Sequence, residues 1–139
     1  MANYYASSRT NYFKVKDVEA FKTDINAVTS YVEIITHTTK DGLELVGLLG
    51  NDPDGSGFPY SQYSDEDGEY LEINWDKIFQ AHLEDGWVAI IMESGAEKLR
   101  YITGYAVAYN NKGETRTIDL TNIYKLAMEL GDKVTSAEY

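Results

Sequence analysis

Cysteine is absent from this 139-residue chain and proline occurs only twice. Without cysteine there can be no disulfide, thiolate nucleophile or cysteine-ligated zinc, which fits a reducing compartment. No stretch approaches the roughly 18 apolar residues that a membrane helix needs. The polar start, residues 1–17, has no apolar signal-peptide core, so a cytoplasmic location is expected. The twelve basic residues are scattered and form no stripe interleaved with aromatics, so direct binding to DNA, RNA or an anionic membrane is not expected.

Catalytic signals are equally sparse. Histidine, the commonest general base, occurs only at His37 and His82. His82 falls on the apolar stripe of a helix and reads as a packed boundary residue, and His37 reads as a surface residue at a strand end. Gly55-Ser56-Gly57 lacks the spacing and the strand-turn-helix context of a nucleophile elbow. Asp52-Pro53-Asp54-Gly55 opens like a calcium loop, but the twelfth position is Tyr63 rather than a bidentate acid. No Walker or dinucleotide glycine motif is present. No enzyme activity, catalytic residue, metal or cofactor is therefore expected, and the one enzymatic alternative is carboxylate chemistry by Glu93 or Glu97 beside Tyr101.

Hydrophobic residues make up 43% and aromatic residues 13% of the chain, enough to fold one core, and residues 1–139 are expected to form a single domain. Residues 12–16 alternate as a short strand. Asp17 reads as the N-cap of a helix over 18–28, with Val18, Phe21, Ile25 and Val28 on one face. Residues 31–36 and 43–49 form a β-hairpin around Lys40-Asp41-Gly42. A loop-rich, acidic insertion spans about 50–69.

Residues 70–73 form a strand, and Asn74 caps a helix bearing Trp75, Ile78, Phe79, His82 and Leu83, stopped by Gly86. Trp87–Met92 is a central strand, after which 93–97 turns the chain. Residues 99–109 form a strand with Tyr101, Tyr105 and Tyr109 on one face. Asn110–Gly113 turns it into a strand over 115–118, and Asp119 or Thr121 caps a last helix with Leu120, Ile123, Tyr124, Ala127 and Leu130 inward, stopped by Gly131. Hairpin connections predict an α+β fold, a mostly antiparallel sheet of about five to seven strands with three helices on one face or end.

Charge is concentrated in the middle. Residues 41–97 hold fourteen acids against one base, Lys77, a net of −13, whereas the flanks hold nine acids and eleven bases. Within this segment Asp52, Asp54, Tyr60, Tyr63, Asp65, Glu66, Asp67, Glu69, Tyr70, Glu72 and Asp76 interleave carboxylates with aromatics. Spaced carboxylates can occupy arginine and lysine sites that otherwise hold phosphates, and tyrosines add rigid contact area.

In size, acidity and cysteine-free compactness the chain resembles the anti-defence proteins of phages and mobile elements, including anti-CRISPR proteins and antirestriction DNA mimics. That resemblance implies a non-enzymatic inhibitor whose partner is a basic nucleic-acid-handling protein, a Cas nuclease or restriction complex; it carries over no residue by position, and the contact surface expected from the acid–aromatic interleaving is those eleven residues. The alternative is a general interaction or assembly domain, possibly a homodimer, that binds through the tyrosine-rich face of residues 101–109.

Overall fold

The apolar run that starts at Ala89 becomes the middle of a six-stranded sheet in the computed structural model, which describes residues 4–64, 68–98 and 101–137. Along the chain the elements are β1 (Tyr4–Thr10), α1 (Val18–Val28), β2 (Val32–Thr38), β3 (Glu44–Gly50), β4 (Ser61–Ser64), β5 (Glu69–Glu72), α2 (Trp75–His82), β6 (Ala89–Glu97), β7 (Tyr101–Tyr109), β8 (Thr115–Asp119) and α3 (Asn122–Ala127). The large sheet runs β2-β3-β1-β6-β7-β8, and β4 and β5 pair separately. Each pairing is antiparallel, as expected when hairpins rather than helical crossovers join the strands.

Helix α1 starts where the Asp17 carboxylate accepts from the Ala20 N–H at 3.1 Å, and α2 where Asn74 accepts from the Lys77 N–H at 3.3 Å. Both helices lay aromatic residues on one face of the sheet. Phe13 meets Phe21 edge-on at 5.8 Å and Phe79 at 5.6 Å, and Phe79 continues to Trp75 at 5.8 Å and Tyr109 at 5.0 Å. Ile25, Leu48, Val46, Leu83, Ala89 and Ile91 close this core.

Several local expectations change. The polar opening segment is a full strand, β1, which pairs along its whole length with β6 and touches β3 at Arg9. Its core-side residues are Tyr4, at the outer end, and the small Ala6, Ser8 and Thr10, so it fits between two strands without an apolar alternation. Thr10 is buried, and its Oγ1 accepts from the Leu48 N–H at 2.8 Å. The segment 12–16 is not a strand of its own but two isolated bridges, Phe13 to Val46 and Val15 to Leu83.

Residues 93–97 do not turn; they continue β6 to Glu97, and the next residue, Lys98, has a left-handed φ of 55°. The acidic insertion is not all loop, because 61–64 and 69–72 pair as a hairpin. Gly86 and Gly131 do not stop helices, which end earlier at His82 and Ala127. The largest difference is α3: it buries no residue, and Leu120, Ile123 and Leu130 are exposed rather than inward.

Candidate functional site

The acidic hairpin stands on firm feet. At its base the Ile73 N–H donates to the Tyr60 carbonyl at 2.8 Å, and the indole N–H of buried Trp75 donates to the Pro59 carbonyl at 2.8 Å. The Gln62 side chain also accepts from the Ser30 N–H at 2.8 Å, tying β4 to the end of α1. Above these anchors the backbone pairs Ser61 with Glu72 and Tyr63 with Tyr70, and the two tyrosine rings lie 5.2 Å apart. All of β5 is exposed, Tyr70 to 74%.

The structure brings some of the expected residues together and separates others. Tyr63, Tyr70 and Glu72 share one face of the hairpin, whereas Glu69 points to the other, because neighbouring strand residues alternate. Asp76 is exposed in the first turn of α2, where its charge also faces the positive end of the helix dipole. Asp54 is exposed, but Asp52 is half-buried and organises its own loop, accepting from the Asp54 N–H at 2.8 Å and from the Ser56 hydroxyl. Asp65, Glu66 and Asp67 lie outside the described residues.

Ion pairs that the described residues form with one another join Lys14 to Glu84, Lys22 to Glu19 and His82 to Asp24. None of these uses Asp52, Asp54, Glu69, Glu72 or Asp76. His82 is buried on the core side of α2, its Nε2 2.5 Å from Asp24 Oδ2, and His37 is an exposed residue whose ring lies 5.3 Å from that of Tyr12. Among the described residues no three histidine, aspartate or glutamate side chains come together as a metal site.

A second cluster locks the insertion to the sheet, and the sequence does not reveal it as a unit. Glu93 Oε1 accepts from the Phe58 N–H at 2.6 Å and from the Tyr105 hydroxyl at 3.3 Å, and its Oε2 accepts from the Tyr4 hydroxyl at 2.9 Å. The Tyr105 hydroxyl also lies 2.9 Å from that of Tyr60. Gly57, at φ 104°, must be glycine here, because a β-carbon would run into the Glu93 carboxylate.

Burial pushes the Tyr4 phenol up to about 12, with the Glu93 hydrogen bond and charge adding to the effect. Burial likewise raises Tyr60, Tyr105 and Tyr109 above the ordinary tyrosine value. These hydroxyls stay protonated and donating at neutral pH, so the cluster clamps the loop to β6 and β7. The register sets Glu97 opposite Tyr101 and Glu93 opposite Tyr105, so the two carboxylates weighed for catalysis sit on the same side of β6 but face different tyrosines. Of the tyrosine-rich face of β7, Tyr109 is buried and Tyr105 is held in the clamp, leaving Tyr101 as the open member at 49% exposure.

The fold defined by these elements is an α+β domain with an antiparallel six-stranded sheet, a separate two-stranded hairpin and three helices. In comparison with known proteins, no family model, no curated protein and no solved structure matches the chain. No helix among the described residues is long and apolar enough to cross a membrane.

Proposed function

We propose that the chain is a non-enzymatic inhibitor that binds a basic, nucleic-acid-handling protein and competes with nucleic acid for its groove. The observation that carries this reading is the exposure of Glu69 and Glu72 on a hairpin bearing Tyr63 and Tyr70, of Asp76 just after it and of Asp54 in the loop before it, with none of these acids taken up by the ion pairs of the described residues. Such carboxylates keep their charge available for arginine forks, and a partner that binds phosphates offers those forks. The tyrosine pair supplies apolar contact area at low entropic cost. A Cas nuclease or a restriction enzyme is the target class that fits this chemistry and the phage and mobile-element resemblance.

The test is competition. Purified restriction enzymes and guide-directed nucleases are assayed for DNA binding with the wild-type chain and with a D54N/E69Q/E72Q variant, at low and at physiological salt. The expected result is that the wild type displaces DNA from one of these enzymes, that salt weakens the effect, and that the variant loses it mainly through slower association. Asp52 is left intact because it holds its loop. Equal inhibition by variant and wild type, or none by either across the panel, overturns the proposal.

A further inference from the structure

From Asn110 to Ala137 the chain buries nothing, although this stretch is not polar. Ile118 on β8 and Ile102 on β7 point to the face of the sheet opposite the aromatic core, since Ile118 pairs with Ala106 and Ile102 shares that parity. Leu120 joins them by lying across Gly104, close enough that a β-carbon there would stand 3.3 Å from its Cγ. Ile123, Leu126 and Met128 extend the apolar surface along and just beyond α3, and all six residues are between 52% and 68% exposed.

The extent of this surface fits a missing partner. Six large apolar side chains lie open on this one face, the kind of surface that stable protein interfaces bury by removing about 800 Å² from each partner. A six-residue helix has no stability of its own in water and must gain it from packing. Here the described residues supply no cover.

Charge selects what covers it. Two copies of a protein with net charge −11 repel through most of their surface, yet residues 101–137 carry four acids and four bases, a net of zero. Arg116, Asp119, Lys125 and Glu129 border the apolar residues in sequence, so in a two-fold arrangement the acids of one copy can face the bases of the other around an apolar centre. We propose that the chain forms a two-fold dimer through this β8–α3 face, independently of the acidic hairpin.

Sedimentation equilibrium from micromolar to submillimolar protein tests the idea. The wild type is expected to approach twice 15.7 kDa. An I123D/L126D variant is expected to weaken dimerisation at least about thirtyfold while keeping the monomer's circular dichroism. Ile118→Lys, on a different element, gives an independent second break. A wild type that stays monomeric throughout overturns the proposal and leaves the face to a different protein. A dimer that survives the substitutions also overturns it, by placing the contact elsewhere.

Discussion

Helices α2 and α3 carry apolar residues at the same helical spacing and meet opposite fates. The α2 stripe enters a nest of rings: Trp75 and Phe79 stack at 5.8 Å, Phe79 reaches Phe13 and Tyr109, and Leu83 is fully buried. Leu120, just ahead of α3, touches the sheet at Gly104, and the α3 stripe itself faces outward. Spacing determines that a helix has an apolar side; whether that side is covered depends on which face of the sheet the chain returns to. Here α1, α2 and the insertion fill one face, and nothing in the described chain crosses to fill the other.

The contrast can be broken most severely at its buried end. Phe79→Ala removes the ring that joins Phe13 and Trp75 to Tyr109 on β7 and should cost about 3–5 kcal/mol, seen as a lower denaturant midpoint. A midpoint like that of the wild type would mean that the two stripes are equivalent. Removing the clamp should do less: Glu93→Ala deletes the carboxylate shared by Tyr4, Tyr105 and the Phe58 N–H, with an expected loss of about 1.5–3 kcal/mol. Limited proteolysis should then cut between 51 and 60 faster than in the wild type, and an unchanged cleavage pattern would refute the clamp.

Alkali probes the same tyrosines more gently. Their folded pKa values lie above the unfolded one, about 12 for Tyr4, so above about pH 10 the unfolded chain releases protons that the folded chain retains. Stability should hold up to about pH 10 and fall between about 10 and 12, a decline that Tyr105→Phe makes shallower. Thermal midpoints through that range decide it. The smallest effect belongs to the uncovered end: Leu126→Ala should change the stability of dilute monomer by no more than about 0.5 kcal/mol. A large loss there would mean that α3 is packed after all.

Much of the fold was legible wherever local chemistry and tertiary role agreed. Asp17 and Asn74 cap the helices that follow them, the 32–38 and 44–50 hairpin forms, and Tyr70–Glu72 is a strand. Strand β1 was hidden because its core side carries the polar Tyr4, Ser8 and Thr10 and the small Ala6, so it fits between two strands with no apolar alternation to read. Strand β4 was hidden for the opposite reason: it stands away from the core, where no face must be apolar.

The acidic residues were visible as a group, but their division between the two faces of the hairpin follows from the Tyr63 to Tyr70 register, which no composition encodes. Glu93 shares its parity with the buried Ile91, the one trace in the sequence that its carboxylate turns toward the covered side.

The hairpin is fastened at Pro59, Gln62 and Ile73, while Tyr63 and Tyr70 beyond those fastenings touch each other and solvent. Inheritance can therefore act on the two ends at different rates. A substitution at Tyr63 or Tyr70 alters the exposed surface without disturbing the ring nest beneath, so the proposed contact surface can vary residue by residue while the folding stability stays level. Substitutions at Pro59 or Trp75 have no such freedom, because they move the ground on which the tip stands.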